Sequence, residues 1–410
     1  MAGFVGEVTP LGESLELVES TLKFPWEGIR PVLTSLAMAQ GLRTNTEVIA
    51  GEDYPPFTRS LRDGYAVNTA DIMGASHSSP VFLKRGEGVL MGAFPRFTGE
   101  DSRAYPIPTG GILPHGVNGV VMLEDTSLSG EWVEIRKAVQ AGENIIHKGE
   151  EIQRGQRVLP KGALIDHTTT GLLATLGVES LPCCDLRICI LSTGDEIVPI
   201  STRDVPDGCI RDANAWLLSS LLLKYGFPSK QLGIIPDEAC LLEAAVENAL
   251  KECDVLVLSG GSSVGTRDHC ARIMEMLPDP GLLIRGINIA PGKPTLIAAC
   301  HQERKLVFGL PGHPLSCLTT AFTVLLPLVM SLVGAPKKLG NVINLPLAED
   351  LHGKTGVEEF IPAALQNGMI YPLQAKSGYI AVLQKADGFI HLPENRETLR
   401  RGEGVEVWLW

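Results

Sequence analysis

At 410 residues, with 44% hydrophobic and 20% charged side chains, the chain is long enough for two to four domains and too apolar to be disordered. Its formal net charge of -12 excludes sequence-independent binding to nucleic acid or to an anionic membrane, since both need a basic face; a small-molecule partner is expected. The nine cysteines fall in no C-x-x-C spacing, and two are adjacent at Cys183 and Cys184, a usage that suits a reducing cytoplasm.

The first twenty residues acquire acids early and lack a basic flank ahead of an apolar core, so no signal peptide is expected. LGESLELVESTL (11–22) and RPVLTSLAMAQ (30–40) are predicted helices, and DHTTTGLLATLG (166–177) is a third. From about 80 to 165 the text is strand-like, with VFLKRGEGV, GVVMLED, EWVEIRKAV and RVLPKGALI separated by Gly, Pro and Asn, which predicts a β-rich domain. Regular alternation follows: a buried-strand run LRICIL (186–191), the helix pattern DANAWLLSSLLLKYG (212–226), the strand KQLGIIP, the helix PDEACLLEAAVENALKECD and the strand DVLVL. A further helix is predicted at about 267–277, strands near 282–289, 295–299 and 305–309, and a last helix over 314–333. Alternation over some 150 residues predicts a parallel, doubly wound α/β sheet with helices on both faces. The final 75 residues read as β again and end in GEGVEVWLW.

Residues 314–336 carry no charge and are long enough to cross a bilayer. Ser316, Thr319, Thr320, Thr323, Pro327 and Ser331 interrupt this stretch, and no second such segment exists. It is therefore read as a buried helix of a soluble domain, with no membrane partner.

In open parallel sheets, ligands bind beyond the carboxyl ends of the strands, and four unusual loops fall there. LRICIL is followed by STGDEI, which puts Gly194, Asp195 and Glu196 at a strand end. DVLVL is followed by SGGSSVGTRD, where Ser259, Gly260, Gly261, Ser262, Ser263 and Gly265 can offer backbone N–H groups to an anion at a helix N-terminus. The strand near 282–289 leads into APGKPT, with Pro291, Gly292 and Lys293, and LVF leads into GLPGHP, with Pro311 and Gly312. Backbone donors and Lys293 suit a phosphate or oxyanion. Glu196 and Asp268 can approach that anion only with a cation between them, and Mg²⁺, which binds through one or two carboxylates plus phosphate oxygens, meets the need. Each piece alone has a plainer reading: a turn, an early helix charge, a solvated strand end, a surface lysine. Their joint placement at one sheet edge points to a site.

SLRDGYAV (60–67), the PTG of 108–110 followed by GVVMLED, STGDEI, SGGSSVGTRD, PGKPT and GLPGHPLSC, in this order, resemble the MoeA-like molybdopterin molybdenumtransferases, the family that includes the E domain of gephyrin. The likeness covers nearly the whole chain. It implies four domains: an N-terminal linker and dimerisation domain of residues 1–45 and 147–180, a β-rich insert of 46–146, a molybdopterin-binding α/β domain of 181–333 and a C-terminal β-barrel of 334–410. It implies molybdenum cofactor biosynthesis in the cytoplasm: molybdate enters the dithiolene of adenylated molybdopterin, with Mg²⁺-dependent cleavage of the adenylate to AMP. It further implies a homodimer with active sites shared between subunits, and contact with the molybdopterin adenylyltransferase. Carried over position by position, it assigns active-site roles to Asp63, Thr109, Glu196, Asp237, Asp268, Lys293, Pro311 and Ser377. Without it, Asp63 reads as a turn former and Asp237 as a helix N-cap.

The sequence departs from that pattern in places. Ala290 stands where relatives commonly have a lysine, Pro362 where they often have an arginine, Arg62 where a small or apolar residue is usual, Glu151 for an aspartate and His313 for an asparagine. An altered oxyanion response is expected, with more molybdate needed than by a relative with the lysine or a different oxyanion such as tungstate handled; the alternative is that Arg62 or His313 supplies the missing donor. The alternatives are a tungstate-handling or non-catalytic paralogue, or a related pterin-nucleotide hydrolase.

Overall fold

The computed structural model describes residues 8–260, 264–336 and 341–410; the side chains of 264–268 and of 341 lie outside what is described. The chain divides into two compact units, one of Met1–Thr46 with Pro160–Trp410 and the other of Glu47–Leu159.

The larger unit is built on a six-stranded sheet in the order 229–235, 188–193, 255–260, 305–310, 296–300, 280–285. The first four strands are parallel, as the alternation predicts. The fifth, Leu296–Cys300, runs antiparallel to both its neighbours, so the sheet is mixed at one edge. Only a short turn, His301–Arg304, separates it from Lys305–Leu310; a parallel neighbour needs a crossover that so short a link cannot supply.

Both faces of this sheet are covered. Helices Asn214–Lys224 and Pro314–Val333 lie over one face, where Leu218, Leu222, Phe322 and Leu328 pack with Ile188, Ile190 and Phe308. Helices Ala239–Glu252 and Val264–Glu275 cover the other, where Leu242, Val246 and Met274 pack with Leu191, Leu256 and Val307. Helix Leu11–Leu22 joins the first core through Leu11, Val18 and Leu22, which recur at helical spacing.

The uncharged stretch forms a 20-residue helix, long and apolar enough to cross a membrane, yet almost wholly buried within this core. Its hydroxyls are accommodated by back-bonding: Thr319 donates to the Leu315 carbonyl at 2.8 Å and Thr323 to that of Thr319 at 2.8 Å. A π-helical turn at Ala321–Leu325 precedes Pro327, whose missing N–H and bulky ring prevent a regular turn there.

The predicted helix over 30–40 does not form. Pro31–Ser35 is a strand paired antiparallel with Ser180–Cys184, and only Leu36–Ala39 is helical. A distant partner outweighs the local period here, because Val32 and Thr34 lose little by extending. Arg43 links this region to the α/β core: its guanidinium donates to the carbonyls of Tyr225 (2.7 Å) and Gly162 (2.6 Å) and lies over the Phe227 ring at 4.9 Å. Burial lowers its pKa to about 10, still high enough to hold the charge at neutral pH.

The C-terminal strands form a second sheet in the order 289–290, 358–366, 388–392, 404–409, 341–346, with 369–372 paired to 358–366. A bridge between Leu347 and Ile370 draws its ends together into a half-barrel. Asn367 and Gly368, both at positive φ, form the tight hairpin. One short parallel pairing, Ile289 with Glu358 and Ala290 with Glu359, joins this sheet to the loop that carries Lys293.

The unit Glu47–Leu159 has a six-stranded sheet in the order 119–122, 64–67, 103–107, 81–85, 132–135, 126–129 around Val67, Val121, Val133 and Ile135. Residues 147–159, read from the sequence with the linker segment, pack in this unit, because Arg157–Leu159 pairs with Val48–Ile49.

Candidate active site

At the carboxyl edge of the α/β sheet, the strand Val255–Gly260 ends against the strand Ile188–Thr193. Gly260 has φ +133°, and a Cβ there would stand 1.9 Å from the Thr193 carbonyl oxygen. Only glycine allows this approach, which brings two of the sequence-picked loops together. Ser259 is buried, and its hydroxyl accepts from the Asn214 amide at 3.0 Å. The same amide nitrogen donates to the Gly312 carbonyl at 2.8 Å. Asn214 thus ties the 255–260 strand end to the GLPGHP turn. The sequence showed Asn214 only as part of a helix start; the side chain that caps the Ala215 N–H is Asp212, at 3.1 Å.

A cavity of about 460 Å³ opens between these loops and the C-terminal half-barrel. Gly260, Pro291, Gly292, Lys293, Pro311 and Ser377 line it, all picked from the sequence, together with Ala290 and His313. Ser377 and His313 meet at 3.1 Å between Oγ and Nδ1, and the Ser377 carbonyl accepts the Leu315 N–H at 3.1 Å, satisfying a donor in the first turn of the helix. Gly292 has φ +133°, and a Cβ there would lie 2.5 Å from Thr320 Cγ2, so the Lys293 loop sits tight on the 314–333 helix.

The described lining residues include two lysines, Lys293 and Lys354, and one histidine, with no carboxylate among them. In a chain of net charge -12 this is a local inversion, and it suits an anion. Cys270 also lines the cavity; burial, with Asp237 nearby, pushes its thiol up to about 12, so it is a neutral wall rather than a thiolate.

Carboxylates gather at the neighbouring strand end. The Asp237 carboxylate accepts the Thr193 hydroxyl at 2.7 Å, and the Asp237 N–H donates to Asp195 Oδ1 at 3.0 Å. Asp237 is therefore not the helix N-cap that its position suggests; Glu238 occupies that place and makes no side-chain cap. Gly194, at φ +150°, lies under the exposed Glu196, whose Oε2 is 2.8 Å from where a Cβ would be. Gly194 and Asp195 line a second cavity of about 530 Å³ with Asp212, Trp216 and Gln231. Thr193 joins the two halves of the edge, its carbonyl against Gly260 and its hydroxyl on Asp237.

Three picked residues, Gly261, Ser262 and Ser263, lie outside the described residues, as do the side chains of Gly265 and Asp268 in the helix that follows. Asp63 and Thr109 belong to the other unit, where the Thr109 N–H donates to Asp63 Oδ1 at 2.8 Å. That bond fixes the carboxylate of the DGYA turn. Gly64 behind it is obligatory, since a Cβ would fall 1.9 Å from the Val121 carbonyl oxygen. Arg62 is exposed in the same unit, whereas His313 lines the Lys293 cavity. Lys354 and Asn214 were not picked from the sequence: Asn214 reads as part of a helix start, and Lys354, although flanked by Gly353 and Gly356, follows no strand of the α/β sheet.

Comparison with known proteins adds to this geometry. Residues 9–177 match the model of the MoeA N-terminal region (domain I and II), 189–331 that of a probable molybdopterin binding domain, and 344–410 that of the MoeA C-terminal region (domain IV). A molybdopterin biosynthesis protein of Methanocaldococcus jannaschii is 33% identical over 371 residues, 88% of each chain. The molybdopterin molybdenumtransferase of Bacillus subtilis is 30% identical over 373 residues, 88% of this chain and 86% of its own. The crystal structure of a molybdopterin biosynthesis moeA protein from Pyrococcus horikoshii OT3 superposes with a TM-score of 0.83 at 26% identity, covering 98% of this chain and 100% of that one. A second MoeA structure, at 31% identity, gives a TM-score of 0.76 over 98% of this chain and 99% of its own.

Proposed function

Because this chain belongs to the MoeA family of molybdopterin molybdenumtransferases, and so is a molybdotransferase of molybdenum cofactor biosynthesis, we propose that the Lys293 cavity is where its oxyanion substrate binds. The observation that carries the reading is the cavity's charge: among the described residues its lining holds two lysines and a histidine and no carboxylate, in an acidic protein. Molybdate is the oxyanion, and adenylated molybdopterin is the acceptor whose adenylate is cleaved to AMP.

The carboxylates of the adjoining strand end suit Mg²⁺. No group of three or more His, Cys, Asp or Glu side chains able to hold a metal occurs among the described residues. Such an ion takes one or two carboxylates and completes its shell with phosphate oxygens and water. Glu196 and Asp268 would hold it, and its contribution when bound is to neutralise charge developing on the phosphate being cleaved. Asp237 acts through Thr193: by accepting its hydroxyl it holds the 188–193 strand end against Gly260. Lys293, Ser377 and His313 bind and orient the oxyanion.

Incubation with adenylated molybdopterin, Mg²⁺ and molybdate should release AMP and reconstitute an apo-molybdoenzyme. AMP release that proceeds equally well without molybdate would instead support a pterin-nucleotide hydrolase.

The reading includes a homodimer whose active sites draw on two copies of the chain. Mixing inactive Asp63→Ala chains with inactive Asp268→Ala chains should then restore activity in heterodimers. Verified heterodimers that stay inactive overturn this part. The cytoplasm is the proposed compartment, a placement supported by nine cysteines that are all free thiols. Contact with the adenylyltransferase that supplies the adenylated pterin is part of the same proposal.

A further inference from the structure

We infer that Lys354, on the loop between the C-terminal strands, is an oxyanion-binding residue that determines how strongly the cavity holds molybdate; the inference rests on the functional reading above. Lys354 reaches the cavity from the half-barrel, more than sixty residues from Lys293 in the ~410-residue chain, and the fold fixes where it stands. The loop is fastened on both sides. The Lys354 N–H donates to Glu359 Oε2 at 2.7 Å, and the Gly353 and Gly356 N–H groups donate to the carbonyls of Glu397 (2.9 Å) and Glu394 (3.0 Å). On the cavity side, Asn288, just before the Lys293 loop, donates its amide to the Gly356 carbonyl at 2.8 Å, and its own carbonyl accepts the Glu358 N–H at 3.3 Å. The parallel pairing of 289–290 with 358–359 then sets the register between the two lysine-bearing segments.

The carboxylates around this loop have hydrogen-bond partners other than the Lys354 ammonium. Glu358 pairs with His391 at 2.7 Å, Glu397 accepts the Thr355 hydroxyl at 2.6 Å, Glu394 accepts the Asn288 amide at 3.3 Å, and Glu359 takes the Lys354 main-chain N–H. Among the described residues the Lys354 ammonium has no ion pair, and the cavity it lines shows no carboxylate. An exposed lysine held at the rim of a cationic cavity is placed to meet an anion entering it. Ala290 lines the same cavity and brings no charge, which leaves Lys293 and Lys354 as its two lysines.

The cavity's chemistry would serve a tetrahedral dianion from either of two sources, molybdate or the phosphate of the adenylated pterin. The inference commits to molybdate. Equilibrium dialysis with molybdate, and separately with AMP, on wild type, Lys354→Met, Lys354→Arg and Lys293→Met tests it. Lys354→Met should raise the molybdate Kd about tenfold or more, by the range for hydrogen bonds to charged groups, with the melting temperature and AMP binding unchanged. Lys354→Arg should stay close to wild type, since the charge is kept. If Lys293→Met weakens molybdate binding and Lys354→Met does not, the inference fails and the cavity assignment stands. A change in AMP binding alone would make Lys354 a phosphate contact and also overturn it. Wild type that binds no molybdate removes both the cavity assignment and the inference.

Discussion

Glu196→Gln is expected to lower Mg²⁺-dependent AMP release by about 10²- to 10³-fold, the usual cost of removing one preorganised group that stabilises transition-state charge, and to leave thermal unfolding unchanged. The fold should tolerate it because Glu196 is exposed at the end of the 188–193 strand, and its hydrogen bond to local structure, accepting the Ile210 N–H at 2.7 Å, is made by the main-chain carbonyl. Glutamine keeps the size and the polar oxygen but removes the charge. If the carboxylate acts by holding Mg²⁺, raising the Mg²⁺ concentration should recover part of the lost rate in the variant. Near-normal turnover at limiting Mg²⁺ would rule Glu196 out as a ligand. Asp237→Asn is the companion: it keeps an acceptor for the Thr193 hydroxyl, so it should cost far less than Asp237→Ala if that hydrogen bond is the role of Asp237.

Gly260→Ala is expected to destabilise the larger unit by about 3 kcal/mol, combining backbone strain at positive φ with overpacking. A loss of that size corresponds to a fall in melting temperature of roughly 6 °C or more. The Cβ would stand 1.9 Å from the Thr193 carbonyl oxygen, a main-chain atom that cannot rotate away. Relief requires the ends of the 188–193 and 255–260 strands to separate, and they form the floor between the Lys293 cavity and the carboxylates. Molybdate binding should therefore weaken along with stability. Gly368→Ala serves as the control: Gly368 also has positive φ, at +75°, but nothing lies within 4 Å of its Cβ position, so it should cost only about 1 kcal/mol. Equal melting temperatures for the two variants would show that the close approach at Gly260 carries no energetic weight.

The sequence by itself determined the parts of this protein whose physics is local. Helices 214–224 and 239–252 were legible because their apolar residues recur at the period of a buried helical face, and the 188–193 and 255–260 strands because they are short apolar runs ended by small polar residues. The Gly and Pro loops at the sheet edge were legible too. A backbone that must approach an anion or another strand closely can be built from few residue types, and Gly260 and Gly292 are at such positions.

Tertiary structure decided whatever depends on a partner distant along the chain. Pro31–Ser35 has a helix-compatible pattern and became a strand because Ser180–Cys184 pairs with it, and Leu296–Cys300 runs antiparallel because its link to the next strand is a tight turn. Asp237 looked like a cap and turned instead to Thr193, a choice set by the packing of two strand ends. Lys354 and Ser377 reach the cavity, and Asn214 meets the Gly312 carbonyl, only once the GLPGHP turn and the half-barrel are in place. Strand pairing and domain docking are long-range contacts whose closure no local period encodes, so these residues gained their roles from the folded chain.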